Sequence, residues 1–314
     1  MPITLTSRVV RELNVMLVSM FDMGAGDGAK QATDVIDLAY TSTSDTAENA
    51  YTIVDTDFAL RDRADSTEVV IDGIKMYEVR LADGKKYKCI EVDLDAFEDD
   101  KVGQYKGVFY KLGMAQALGP SRLMEDTILA AEVAVTGGNF DGVALISTAH
   151  PVKPFESGSA TWSNKLTKAA GLTFTTVGEA YAAFQLFPGE DGRPLNHTPK
   201  VLVCDPNYRA IANDICYSDR PTGGAGGGNA WQGLLRPMFV PRLASSDGWY
   251  LADDSSSLER PFIYQERRAL RLIPLFTSHE DPAVIKSRKL AWIVDGRIGA
   301  GFGHANRVLK VVKA

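Results

Sequence analysis

The chain has 314 residues, of which 45% are hydrophobic and 24% charged, a composition typical of a folded globular protein. Its 40 acidic residues outnumber 34 basic ones, and the net charge of −6 argues against a protein that grips nucleic acid through phosphate contacts. The sequence has no transmembrane-length apolar run and no signal-peptide pattern, so we expect an intracellular protein. Its three cysteines, Cys89, Cys204 and Cys216, lack paired spacing and are expected to be reduced thiols.

The N-terminal 50 residues combine one apolar helical pattern with polar and glycine-rich stretches. Residues 7–20 carry the helical pattern, residues 24–28 are rich in glycine, and residues 41–49 are polar. Segments with few hydrophobic residues cannot bury enough surface to fold alone. We therefore expect residues 1–50 to form an extended arm that becomes ordered only against neighbouring molecules.

Residues 51–97 change to a β pattern. Asp83-Gly84 is a hairpin turn signal, because glycine accepts a positive φ. Many charged side chains leave the predicted hairpin, about residues 65–91, polar on much of its surface. A two-stranded ribbon with so little apolar surface is marginally stable by itself. We therefore expect the hairpin to rest on another molecule.

A long helix is predicted over residues 101–135. Its apolar stripe consists of Val102, Tyr105, Phe109, Leu112, Met124, Ile128, Ala131 and Val135. The dipeptide Gly119-Pro120 interrupts this pattern, so we expect a broken or kinked helix that keeps its direction.

The remainder of the chain alternates short strands with one clear helix. Residues 199–204 predict a buried strand, after which Asp205 can cap a helix with Pro206 in its first turn. A glycine-dominated loop covers residues 220–229. Further strands are predicted at residues 237–240, 249–251, 261–265, 270–276, 290–294 and 308–312.

Three features invite a chemical interpretation, and each has a simpler structural one. The glycines at residues 223–228 are not followed by the Lys and Ser or Thr of a phosphate-binding loop. His150 could act as a base beside Asp141, but no nucleophile motif accompanies it. The acidic residues between 93 and 100 lack the spacing of an EF-hand and fit the start of a helix. We expect no catalytic, cofactor-binding or metal-binding residues.

Four segments resemble the Mu-like major head subunit family of tailed bacteriophages, and they occur in the family's order. They are DAFEDD at residues 95–100, FDG with STAHPV between residues 140 and 152, GEDGRPL with PKVLV between residues 189 and 203, and RPFIYQERR with GAGFG between residues 260 and 303. The run FIYQERR is the most specific, because such a mixture has no generic structural cause. The resemblance covers roughly residue 52 to the C-terminus.

This resemblance implies an α+β chain with the major capsid fold of tailed phages and herpesviruses. The implied parts are an N-terminal arm (1–50), an extended β-hairpin loop (51–98), a peripheral domain with a long spine helix (99–160), an axial domain (161–255) and a return to the peripheral domain (256–314). The implied function is that of a major capsid protein, not an enzyme, which self-assembles into pentamers and hexamers. These would form the icosahedral head around the phage double-stranded DNA genome.

The implied partners are further copies of the chain together with portal, scaffold and decoration proteins. DNA would be enclosed without sequence-specific binding, and neither a membrane nor a cofactor is expected. The expected location is the virion, after assembly in the host bacterial cytoplasm. Candidate inter-subunit contacts are Asp83, Gly84, Lys85, Lys86, Arg267 and Arg268. Two alternatives stay open: an encapsulin-like shell of a host nanocompartment, and a hydrolase that uses His150.

Overall fold

The computed structural model describes residues 7–46, 48–54, 76–95, 102–133, 140–154, 156, 158–222, 228–245, 248–276 and 281–314. In these residues, a four-stranded sheet lies under two long helices, and a five-stranded sheet lies under two shorter ones. A two-stranded ribbon and a short pair, β5 (His150–Pro151) with β6 (Thr161–Trp162), complete the sheets.

The two long helices, α1 (Ser7–Gln31) and α2 (Val102–Leu129), pack closely on each other. The buried face of α1 consists of Val10, Leu13, Leu17 and Phe21. Glycines permit the close approach: a Cβ at Gly113 would lie 2.0 Å from the Phe21 carbonyl oxygen, and one at Gly24 would lie 2.0 Å from that of Tyr110. The expectation of an extended arm is therefore wrong for residues 7–31. This segment is a helix that packs within its own chain.

Helix α2 continues without interruption through Gly119 and Pro120 and ends in a 3₁₀ turn at Ala130–Glu132. The predicted long helix, which keeps its direction past Pro120, is thus confirmed over the described residues. Met124, Ile128 and Ala131 are buried in one cluster with residues of the sheet below, as the apolar stripe predicts. Val135 lies outside the described residues.

The sheet under α2 has the strand order β1 (Ala39–Thr43), β11 (Phe262–Phe276), β12 (Lys289–Phe302) and β4 (Gly84–Asp93). Strand β1 runs parallel to β11, and the other pairs are antiparallel. Irregularities in pairing interrupt β11 between Glu266 and Arg271, where two separate strands were predicted. Tertiary pairing with β12 joins them into one long strand.

The ribbon pairs β2 (Glu48–Val54) with β3 (Met76–Ala82) in antiparallel register, and residues 55–75 between them lie outside the described part. The predicted hairpin with its turn at Asp83-Gly84 is wrong. At Asp83 the chain leaves the ribbon and enters the four-stranded sheet, where β4 pairs with β12. Val92 of β4 packs with Trp292 and Leu290 in the core, and this burial outweighs a local turn preference.

The five-stranded sheet has the order β7 (Lys165–Lys168), β13 (Val308–Lys313), β10 (Gly248–Ala252), β8 (Val201–Cys204) and β9 (Arg236–Phe239). Two helices, α3 (Phe174–Gln185) and α4 (Arg209–Tyr217), pack on it around Phe184 and Trp249. Asp205 caps the turn before α4, as predicted, since its Oδ1 accepts the Asn207 N–H at 2.9 Å. Strand β13 lies in this sheet, whereas β11 and β12 lie under α2.

A charge cluster ties the end of α2 to the five-stranded sheet. The Glu132 carboxylate accepts from Lys165 Nζ at 3.0 Å and from Lys310 Nζ at 3.1 Å. Burial raises the pKa of Glu132, but the two ammonium groups outweigh it and hold that pKa below its usual value.

A short helix, α5 (Pro282–Ser287), precedes β12 near the end of the four-stranded sheet where Lys289 pairs with Asp93.

Candidate functional site

One face of the β2–β3 ribbon is apolar and docks on the body. Ile53, Tyr77 and Val79 are buried in a small cluster with Phe140, and the rings of Tyr77 and Phe140 stack at 5.6 Å. Tyr77 Oη donates a hydrogen bond to Glu190 at 3.1 Å. The alternate residues of β3 are exposed, so only one face of the ribbon contacts its own chain.

A buried glutamine, Gln265 of β11, joins the ribbon to the four-stranded sheet. Tyr51 Oη donates to its Oε1 at 2.8 Å, and its Nε2 donates to Asp83. Two glycines of β12 leave room for the ribbon to cross the sheet. A Cβ on Gly301 would lie 3.0 Å from the Leu81 side chain, and one on Gly299 would lie 3.1 Å from the Ala82 carbonyl oxygen.

The structure brings three of the six predicted contact residues together within one chain. The Asp83 side chain is buried, Arg267 Nη1 lies 3.7 Å from its Oδ2, and Gly84 follows directly at the start of β4. Arg268 instead pairs with Asp295, while Lys85 and Lys86 are exposed on β4 opposite Arg297 and Gly296. A role of these six residues between subunits stays a prediction.

Arg307 organises a second charge cluster beside the ribbon. It pairs with Asp253 and Glu259, and both Glu259 and His304 line cavities that also contact Ile53 of β2. Burial lowers the pKa of His304 to about 4, an effect that Glu259 opposes and Arg307 reinforces. Burial also lowers the pKa of His197. Sequence reasoning missed this cluster, because its residues are far apart in the chain.

The candidate base His150 is fully buried and occupied by structural contacts. Its Nδ1 lies 2.6 Å from Asp141 Oδ2, and its Nε2 lies 3.2 Å from both the Leu145 carbonyl oxygen and Asn164 Oδ1. Its ring stacks on Trp162 at 4.8 Å. The predicted proximity to Asp141 is confirmed, but the enclosed imidazole holds the loop together and offers no surface to a substrate.

The remaining candidates for chemistry are also accounted for where the structure describes them. Asp95 pairs with Arg288 at 2.5 Å, and Asp93 accepts the Asp95 N–H. In the described part of the chain, no group of three or more His, Cys, Asp or Glu is arranged to hold a metal ion. Burial raises the pKa of Cys204 to about 12 and that of Cys216 to about 11. No described helix has the length and hydropathy needed to cross a bilayer.

Residues 78–311 match the model of the family described as phage capsid protein. The chain belongs to that family. No curated protein matches the capsid protein by sequence. The capsid protein is a structural component of the virion head.

Solved structures share the fold of the capsid protein at low sequence identity. The procapsid of bacteriophage JBD30 is 20% identical, with 99% of this chain and 77% of that chain covered and a TM-score of 0.55. The capsid of cyanophage P-SCSP1u is 14% identical, with 90% and 88% covered and a TM-score of 0.57. The structure from Mycobacterium phage Ogopogo is 12% identical, with 90% and 92% covered and a TM-score of 0.52. The chain therefore has the tailed-phage major capsid fold.

Proposed function

We propose that this capsid protein forms the pentamers and hexamers of an icosahedral head that encloses double-stranded DNA, in a phage of the Mu-like group. The observation that carries the proposal is the ribbon, because one face of its described strands has a small apolar cluster on its own chain and the opposite face of β3 is exposed. A two-stranded element needs further contacts to be stable. Neighbouring subunits would supply them.

The domain scheme follows the two large sheets. The ribbon, with residues 55–75, is the extended loop, and α2 is the spine helix. The four-stranded sheet belongs to the peripheral domain, and the five-stranded sheet with α3 and α4 belongs to the axial domain. Residues 220–229 would lie near the centre of each ring of subunits, where glycines tolerate different local geometries.

The partners of the shell follow from the same proposal. The six candidate contact residues lie near the point where the ribbon crosses the sheet. An adjacent subunit would contact this region. The net charge of −6 suits a wall that surrounds DNA without binding it tightly. Portal, scaffold and decoration proteins would complete the head.

The test removes the outer part of the extended loop and keeps its base. A short Gly-Ser turn in place of residues 56–74 preserves β2, β3 and the cluster around Tyr77. Replacement of residues 81–88 instead would remove the start of β4. A loss of shells could then result from misfolding as well as from failed assembly. We expect a soluble variant with the circular dichroism of the wild type that fails to form closed shells in negative-stain micrographs. Normal shells from this variant would refute the role of the loop.

Nuclease-protected DNA in particles from infected or induced cells distinguishes a phage head from the encapsulin-like alternative. We expect the wild-type protein to occur in particles that hold phage-length DNA. Particles that protect an enzyme and no DNA would favour the host compartment instead.

A further inference from the structure

An open groove of about 290 Å³ lies between α2 and the edge of the four-stranded sheet. Its floor is apolar and is formed by Leu112, Leu123, Leu270, Val294 and Ile298. A Cβ on Gly119 would lie 2.7 Å from the Leu270 side chain and one on Gly296 would lie 2.9 Å from Leu270, so these glycines make room for Leu270 in the floor. A large apolar side chain would fit this floor.

The mouth of the groove is positively charged. Lys86 and Lys88 on β4 and Arg122 on α2 line it and are exposed, and none of them makes an ion pair with a described residue. The acidic residue at the mouth, Asp126, already pairs with Arg242 at 2.5 Å. In a chain of net charge −6, three cations without an ion pair to any described residue, placed around an apolar floor, indicate an acidic partner.

We propose that the groove binds residues 95–100 of a second copy of this chain, with sequence DAFEDD. The segment offers one large apolar side chain, Phe97, and three carboxylates after it, at Glu98, Asp99 and Asp100. Phe97 matches the apolar floor, and the three carboxylates match the three cations at the mouth. This inference rests on the proposed self-assembly and assigns one of its contacts.

The groove of the same chain is out of reach for this segment. Asp95 is held by Arg288 at one end of β4, and Lys86 lies about 23 Å away along that strand. At the other end, Arg122 lies twenty residues beyond Val102, about 30 Å along α2. Phe97 lies two residues from Asp95 and therefore within about 7 Å of it. The floor residue Val294 pairs with Lys88, about 17 Å before the end of β4. The contact therefore joins two different surfaces of two copies and can repeat around a ring.

The first experiment measures binding without assembly. A fluorescent peptide of residues 94–101, LDAFEDDK, is titrated with the dispersed full-length subunit at low salt, and anisotropy gives the Kd. We expect Lys86→Glu with Lys88→Glu to weaken binding about tenfold or more, because two attractions become repulsions. The control, Lys111→Glu with Lys200→Glu, makes the same charge change at exposed sites outside the groove and should leave the Kd unchanged. A Phe97→Ala peptide should also bind about tenfold more weakly.

The second experiment exchanges the charges within one chain. Lys86→Glu with Lys88→Glu should abolish closed shells, and the addition of Glu98→Lys with Asp99→Lys should restore them. The inference is overturned if the peptide does not bind, if it binds the groove variant as well as the wild type, or if that variant forms shells normally. In each of these cases wild-type shells would leave the proposed function intact. A wild-type protein that forms no shells would count against the proposed function, and peptide binding would still decide the groove.

Discussion

At the scale of single residues, one cluster of ionisable groups in the capsid protein is organised by a buried arginine. Arg307 holds Asp253 and Glu259, and the pKa of each carboxyl lies below its usual value because hydrogen bonds and the guanidinium outweigh burial. His304 beside them remains neutral near pH 7, since burial disfavours its charged form. This cluster borders the ribbon and makes the subunit sensitive to acid.

The subunit should lose stability as the pH falls from 7 to 5. His304 titrates near 6.5 in the unfolded chain and near 4 in the folded one, so the unfolded state takes up the proton first. The stability that the neutral imidazole contributes is complete above pH 6.5 and is lost as the pH falls toward 4. The free energy of unfolding should therefore be about 2 kcal/mol lower at pH 5 than at pH 7. Urea unfolding followed by circular dichroism measures it. His304→Gln should flatten the pH dependence, and an unchanged slope would contradict this assignment.

Replacement of Ile128 by Asp should lower the free energy of unfolding by about 4 kcal/mol or prevent folding. Ile128 is buried in α2 in a cluster with residues of both large sheets, and the variant would bury a carboxylate without a partner. Val108, on the same helix but 42% exposed, provides the matched control. Val108→Asp should cost less than about 1 kcal/mol. Equal unfolding midpoints for the two variants would show that α2 packs differently.

At the scale of elements, the contact between α1 and α2 depends on glycine. Gly113→Ala would place a methyl group 2.0 Å from the Phe21 carbonyl oxygen, so the helices must separate. We expect a loss of about 2 kcal/mol or more. Gly107, also in α2, has no atom within 4 Å of an added Cβ, and Gly107→Ala should stabilise the subunit by up to about 1 kcal/mol. Thermal unfolding of the pair tests the prediction, which fails if both substitutions act in the same direction.

Sequence patterns predicted elements well where one periodicity dominates a segment. The stripe of α2 and the capped strand-to-helix unit around Asp205 are examples. Helix α3 was missed, although Thr173 and Thr176 form a capping box and Val177, Ala180 and Phe184 recur at helical spacing. The end of α1 could not be predicted, because its glycines are unfavourable for an isolated helix and become favourable only against α2.

At the scale of the whole molecule, Glu132 connects the end of α2 to the five-stranded sheet through Lys165 and Lys310. Glu132→Gln would leave the buried Lys310 ammonium without its carboxylate partner, and we expect a loss of about 1–2 kcal/mol. Glu156→Gln removes the carboxylate of an exposed pair with Lys153 and should cost less than about 0.5 kcal/mol. Calorimetry of the two variants compares them. A Glu132→Gln midpoint equal to that of the control would show that α2 is held on the five-stranded sheet by apolar packing alone.

The sequence alone was sufficient for the α+β class, the long helix, most strands and membership of a phage capsid protein family, because these depend on local periodicity and on runs such as FIYQERR. The pairing partners of the strands required the tertiary structure. Asp83-Gly84 has the local chemistry of a hairpin turn, yet β3 pairs with β2 and β4 with β12. Local preferences amount to about 1 kcal/mol, whereas burial of Val92 against Trp292 and Leu290 adds several contacts of that size. The same holds for the Arg307 cluster and the groove beside α2, whose residues meet only when distant segments fold together.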